Sequence, residues 1–474
     1  MQHGCILARS HFHLTKTSDD VGVVRRRRCD AVAMSSQDLL LIGCTLFGVL
    51  AGALLGLIPA VHVYSAAALA VSAPLLAHGP PGATAFLCLG LLLGWVFVGN
   101  VPSVYLFAPD EGAATAVLPA TRMLLQGRGG RALRLLVLGA LAGLITLAAL
   151  APVADAVLRP LLRILQPHTA WMVCAVIVFL VLGEWPRVDE THTAPLRRLA
   201  AAWAYLGAGQ LTFWLSGLLG MVLMYRSPLP LDAAQQNLLP AFTGLFTLPG
   251  LLQILLFGKR PPPQSGTESG DAPGKLLRGA LIGLGGGLFA AVLPVVSGGI
   301  GSLFAGHASA QRDDEVFLIA QGASRTVYMT GGFLLLFLPG VAVVRGGMAS
   351  LIASHDAPDG WTMFWLAIAA TLLGGIVAAA LTLACGRAVG GLLQKIAPRA
   401  AAAALIPVAL AATWAFTDVA GLGVAGVAAC IGMIPVLGGG RRMNALGVLL
   451  VPVSLNLAGV GTDVAQFMGL SSFP

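Results

Sequence analysis

The apolar residues of this chain fall in long blocks, not in alternation. Leu39–Ile58, Ala83–Gly99, Leu133–Leu150 and Trp361–Cys385 are nearly free of charge. A hydrocarbon core asks for ~20 apolar residues per helix, and these blocks reach or approach that length. Short alternating strands of ~10 residues, the mark of a membrane β-barrel, are missing from the pattern. The expected fold is therefore an all-α, polytopic integral membrane protein with about 10–12 transmembrane segments. Spans are expected near 39–58, 82–99, 133–157, 169–185, 198–225 and 237–257. A second set is expected near 277–294, 327–344, 361–385, 401–419, 421–437 and 444–468.

Between the two sets lies KRPPPQSGTESGDAPGK (259–275), whose Pro, Gly and Ser content marks a flexible linker. It separates a first membrane repeat, 34–258, from a second, 276–474. The polar stretch 1–33 contains RRRR at 25–28 and lacks the apolar segment of a signal peptide. Met34 opens MSSQDLLLIG, a natural helix start, so 1–33 is read either as a cytoplasmic tail or as sequence preceding the native start.

The two halves echo each other. Gly48, Gly52, Pro59 and Val61 have the spacing of Gly283, Gly287, Pro294 and Val296. A second, weaker echo links LLPAFTG (238–244) to MIPVLGG (433–439). A proline ending a glycine-rich span at the same offset in each half predicts paired broken helices or re-entrant hairpins. Transporters place their sites at such repeat interfaces, where interrupted helices free backbone groups for a ligand. The bland alternative is an old duplication with two kinked packing helices.

Composition agrees with the pattern: 57% of residues are hydrophobic and only 10% charged, which excludes a soluble domain of this length. The net charge of +8 does not indicate nucleic acid. The basic residues sit in short loops at 122–134, 187–198, 259–278 and 387–399, as the positive-inside rule places them. The first three of these loops can share the cytoplasm with the N-terminus if every span crosses. The seven cysteines form no CxxC or zinc spacing, and no cofactor or metal is expected. No HExxH, GxSxG or P-loop occurs, so neither an enzyme nor direct ATP drive is expected.

Candidate polar residues cluster after each break. His62 and Ser65 follow Pro59; Ser297, Gly298, Gly299 and Ser302 follow Pro294. These are the expected substrate-binding residues. Ser103, Asp110 and Glu111 interrupt the apolar stretch 100–133, and Asp313, Gln321, Ser324 and Arg325 interrupt 307–332; these seven are the expected ion-coupling or gating residues. Asp110 and Glu111 suit a helix N-terminus, or an ion site, because carboxylates at membrane depth are costly. Arg325 is a candidate partner for an anion, or for Asp313 or Asp314.

LIPAVHV, VYLFAPDEGAATAVLPATRMLLQGRG, VLPVVSGG with QRDDEVFLIAQGASR, and IGMIPVLGGGRRMNALGVLLVP occur in this order over 38–455. Together they resemble the large permease subunit of tripartite tricarboxylate transporters, in its shorter branch common in archaea. The resemblance implies a secondary active importer of a di- or tricarboxylate, coupled to Na⁺ or H⁺, in the inner membrane of a prokaryote. It also implies a small membrane subunit and an extracytoplasmic solute-binding protein as partners. The family signature is close to L-P-G-x-G-P, and both copies here lack the glycine after Pro and the later Gly-Pro. LPVVSGG is also similar to the PGVSGG signature of polyprenyl-phosphate translocases, so a lipid-linked anion is the alternative substrate. A non-transporting membrane scaffold is the third reading.

Overall fold

The computed structural model describes residues 35–59, 62–72, 79–110, 112–183, 194–229, 237–258, 260–264, 273–310, 312–340, 346–354, 357–438 and 440–470. Among these residues every regular element is helical. In chain order, α1 is Ser36–Leu57, α2 Val63–Ser72, α3 Ala83–Val98, α4 Asn100–Tyr105, α5 Val117–Leu125 and α6 Gly129–Leu150. Next come α7 Ala154–Leu165, α8 Thr169–Leu182, α9 Pro195–Tyr225, α10 Leu238–Phe242 and α11 Leu248–Phe257. The rest are α12 Pro273–Val292, α13 Gly298–Ala308, α14 Asp314–Leu334, α15 Gly347–Ala353, α16 Trp361–Lys395, α17 Pro398–Gly438, α18 Gly447–Leu457 and α19 Gly461–Phe467. Eight helices or continuous helical runs among the described residues are long and apolar enough to cross a bilayer, nine if the bent pair at 442–467 is one span. The chain is an all-α polytopic membrane protein.

Two of those runs are interrupted. The run 129–182 passes through short 3-10 turns at Ala151–Val153 and Gln166–His168, which separate α6, α7 and α8. Helix α17 bends at Asp418, whose backbone (φ 55°, ψ −166°) leaves the helical region, so that Ala409 and Ala429 pack on the same Leu248. Its two arms are the spans expected near 401–419 and 421–437.

Salt bridges and glycine contacts fix how the helices run. Arg128 and Arg131, beside the start of α6, bind Glu315 at 2.6 and 2.7 Å. Lys275, in the first turn of α12, binds Asp313 at 2.8 Å and Glu315 at 2.9 Å. The starts of α6, α12 and α14 therefore share one basic face. Helix α14 runs parallel to α12, with Gly279 on Ile319, Gly283 on Ala320 and Gly287 on Val327. Helix α13 returns between them: Gly286 meets Gly301, and Arg278 donates to the Ser309 carbonyl at 3.3 Å. The pair α12–α13 is a hairpin that enters and leaves at the basic face, with its tip at 293–297.

Helix α1 begins at a capping box, in which Ser35 and Asp38 satisfy each other's backbone N–H. It runs parallel to α3, with Gly48 on Leu87, Gly52 on Leu91 and Gly56 on Trp95. A Cβ at Gly52 would stand 2.1 Å from the Leu91 carbonyl oxygen, so only glycine allows this approach. The far face of α1 exposes Phe47, Leu50 and Leu54, as a lipid-facing surface does. Helix α3 is buried along its whole length. Its continuation α4 ends at Tyr105, beside Gly129 on the basic face. Hence α1 and α3 both start at the opposite face, and the chain between them must return there. The N-terminal segment and the basic loops share a side only if every span crosses; here a re-entrant hairpin adds a pass that does not, and α1 starts at the face opposite the basic loops.

One correction concerns the span expected near 327–344. The helix occupies Asp314–Leu334 instead. The polar residues 321–325 suggested a boundary, but their side chains meet protein partners, so helix continues through them.

Candidate functional site

At the second tip, Val295 adopts φ 55°, rare for a β-branched residue, and so turns the chain back after Pro294. Ser297 then caps α13, accepting from the Ile300 N–H at 3.4 Å. Gly298 lies against the backbone of α14: a Cβ there would stand 2.6 Å from the Arg325 Cα. The Ser324 hydroxyl donates to the Gly298 carbonyl at 2.7 Å. Gln321 joins three segments. Its Oε1 accepts from the hydroxyls of Thr115, at 2.8 Å, and Ser302, while its Nε2 donates to the Gly112 carbonyl at 2.7 Å. A Cβ at Gly299 would collide with that same carbonyl. Of the residues expected at the second break, Ser297, Gly298, Gly299, Ser302, Gln321 and Ser324 thus form one closed, buried cluster.

Arg325 sits eleven residues into α14, about 16 Å from the basic face at 1.5 Å per residue, and is 1% exposed. Its guanidinium donates to the Val96 carbonyl, to Asn100 Oδ1 at 3.4 Å and to Asp110, and lies 5.1 Å from the centre of the Trp95 ring. Its Nε has no hydrogen-bond partner among the described residues. Gly99, helical in backbone between α3 and α4, leaves room for this approach: a Cβ there would stand 3.4 Å from the Arg325 Nη2. Two expectations are corrected here. Arg325 pairs with Asp110, not with Asp313 or Asp314, because those lie at the start of α14, three turns away. Asp313 is held by Lys275 and Asp314 by Arg122. Asp110 precedes a turn, not the first turn of a helix: its Oδ1 accepts from the Ala113 N–H at 2.8 Å, and α5 begins only at Val117. Glu111 lies outside the described residues.

The first tip borders a small cavity of about 40 Å³, lined by Pro59, His62, Trp95, Asp110, Thr243 and Thr247 among others. His62 packs its ring 4.8 Å from Trp95 and 5.6 Å from Phe242, and its Nδ1 accepts from the Tyr64 N–H at 3.3 Å. Thr243–Thr247 is a π-helical segment between α10 and α11. Such bulges widen a helix and recur at functional sites. Ser65 is buried one turn beyond His62. Ser103 is buried in α4. Pro294, Ser297 and Ser302 do not line this cavity. The structure therefore joins the two expected clusters through Arg325, whose backbone touches one tip while its guanidinium reaches the neighbours of the other.

Asp313 and Glu315 belong to a separate ionic group on the basic face. Burial alone would raise the Asp313 carboxyl, but hydrogen bonds from Lys275 and the Glu315 N–H outweigh it and lower the pKa. The hydrogen bond from Arg131, with that from Lys275, brings Glu315 down to about 2 against the opposing effect of its burial.

Sequence reasoning missed Trp95, Thr115, Thr243 and Thr247. Trp95 sits in an uninterrupted apolar run and gave no signal. The echo LLPAFTG contained Thr243, but a π-bulge has no sequence signature.

A family model described as "Tripartite tricarboxylate transporter TctA family" matches residues 42–447. An uncharacterized protein of Methanocaldococcus jannaschii is 25% identical over 314 residues, which is 66% of this chain and 72% of that protein. No solved structure matches the chain.

Proposed function

We propose that this chain, which belongs to the tripartite tricarboxylate transporter TctA family, is a secondary active permease for an organic anion such as a di- or tricarboxylate. The observation that carries this reading is a cation at membrane depth, Arg325, held by a carboxylate that itself lines the cavity beside a helix break. Ionisable groups at such depth are costly and serve transport or ion pathways. Asp110 occupies Arg325 while empty of substrate; protonation of Asp110 releases the guanidinium to bind a substrate carboxylate. That exchange couples anion to proton without any further group, and a Na⁺ beside Asp110 would do the same. A cavity of about 40 Å³ has room for a few waters, not for a tricarboxylate, so binding requires the tips to move.

Helix order supports two inverted repeats, 34–258 and 276–474. The series α1, α2, α3–α4, α5, α6 corresponds to α12, α13, α14, α15, α16, and the first hairpin enters from the face opposite to the second. Rocking of one hairpin against the other would then alternate access to a site at their interface. By the positive-inside rule the basic face is cytoplasmic. The membrane is the inner membrane of a prokaryote. A small membrane subunit and a solute-binding protein would complete the transporter. His62, Ser65, Ser297, Gly298, Gly299 and Ser302 would supply the substrate contacts as the tips open.

One observation favours a second reading. An apolar cavity of about 350 Å³ lies beside the second tip, lined by Leu288, Phe289 and Val292 of α12, by Leu293 and by α7. A lipid-linked anion would seat its chain there. Uptake of labelled citrate and succinate into proteoliposomes, beside a flip assay with a polyprenyl phosphate, tests both. Carboxylate uptake lost in Arg325→Gln supports the permease; movement of the lipid phosphate alone overturns it.

A further inference from the structure

A second, larger cavity opens toward the basic face. It measures about 380 Å³ and lies between the start of α5, the α13–α14 junction and the segment that joins α17 to α18. Four arginines line it: Arg122, Arg312, Arg441 and Arg442. Two aspartates line it too, but each already has a cation: Asp313 has Lys275 and Asp314 has Arg122. The excess charge is therefore positive.

Arg442 is the unusual member. It is half-buried, and among the described residues its Nη1 and Nη2 donate to neutral acceptors: the Phe107 carbonyl at 2.6 Å and Gln253 Oε1. It meets no carboxylate among the described residues. A partly buried cation without a countercharge is unfavourable unless something else supplies the charge.

Its position gives the missing charge a meaning. Residues 107–110 and 112–115 lie between the two cavities: Ala108, Pro109 and Asp110 line the small one, and Phe107, Ala114 and Thr115 line the large one. Phe107 is a non-glycine residue at φ 50°, a conformation held only where surrounding contacts impose it. Arg442 donates to that residue's carbonyl. Thr115, on the same wall, is the group that donates to Gln321 of the second-tip cluster.

We propose that Arg442 is the principal cation of a second anion site, which takes a small carboxylate or phosphate dianion at the basic end of the molecule. An anion bound there competes with the Phe107 carbonyl for the guanidinium and so loosens the wall between the cavities. A carboxylate passing from the central cavity and the phosphate of a lipid headgroup offer the same chemistry to this guanidinium. The assignment of the site stands on its own geometry; only the direction of traffic through it rests on the permease reading.

The test uses the full chain, with native cysteines replaced by serine and Thr121→Cys placed on the cavity wall. The protein is reconstituted in neutral-lipid nanodiscs and labelled with a water-soluble maleimide at fixed ionic strength. Three probes are compared: citrate, inorganic phosphate, and nanodiscs containing phosphatidylglycerol. Citrate or phosphate is expected to slow labelling about tenfold, and Arg442→Gln to remove most of that protection. Protection by the lipid alone, lost in the same variant, assigns the site to a headgroup. Where Arg442→Gln yields no folded protein, Arg442→Lys carries the test, because it keeps the charge but loses the two-point fork and should weaken protection several-fold. No protection by any probe, or protection that survives both variants, overturns the proposal. Citrate uptake measured in parallel separates the two claims: uptake without protection removes the second site alone, and protection without uptake removes the permease reading alone.

Discussion

The Arg325–Asp110 pair makes a quantitative prediction. The side chains are 2% and 10% exposed, so neither charge is well solvated when its partner is removed. Breaking a buried pair from one side costs roughly 3–5 kcal/mol, most of it the charge left behind. Asp110→Asn leaves Arg325 with the Val96 carbonyl, a long bond to Asn100 and the Trp95 face, so a loss of about 3 kcal/mol is expected. Arg325→Gln leaves a carboxylate that still accepts from the Ala113 N–H and borders the cavity, so about 2–3 kcal/mol is expected. The double variant removes both charges together. It should lose only about 3 kcal/mol, which gives a coupling of about 2–3 kcal/mol between the positions. Reversible unfolding of the purified protein in mixed detergent and dodecyl sulfate measures all three. Additivity to within ~0.5 kcal/mol would show that the two charges do not hold each other and refute the reasoning.

Other expectations follow from the same geometry. Gly52→Ala should lose at least ~2 kcal/mol, since its Cβ meets the Leu91 backbone at 2.1 Å; Gly43→Ala, with open space around it, should be neutral or gain up to about 1 kcal/mol in the same unfolding assay. Glu315 is held below its unfolded value, so its contribution is complete above about pH 4.5 and disappears as pH falls toward about 2. Thermal denaturation across that window should lose about 2–3 kcal/mol in the wild type, and Glu315→Gln should flatten this part of the profile. His62→Phe should keep the aromatic packing on Trp95 and Phe242, and with it the melting temperature. It should cut anion uptake at least about tenfold if the imidazole contacts substrate, as kinetics in proteoliposomes would show.

Much of the fold was legible because the bilayer imposes length and apolarity on every crossing segment. The folded-back arms of α17 were visible as two spans, since polar Thr417 and Asp418 interrupt the apolar run. The hairpins at Pro59 and Pro294 were visible from glycine spacing, which records close helix contact, and from proline, which cannot continue the helix. The direction of α1 was not legible. A returning half-helix and a crossing helix have similar composition, and only contacts such as Gly52 with Leu91 distinguish them. The partner of Arg325 was hidden for a related reason. Asp110 is 215 positions away in sequence, whereas Asp313 and Asp314 are near in sequence but three helical turns distant along α14. Trp95 carries no signal at all, because an aromatic residue in an apolar run reads as lipid-facing or core alike.

The most direct test of the central claim is accumulation of labelled citrate in proteoliposomes of the full chain, under imposed proton and sodium gradients, for the wild type and Arg325→Gln. Gradient-dependent accumulation is expected in the wild type and none in the folded variant. Accumulation that persists unchanged in a folded Arg325→Gln protein would contradict it.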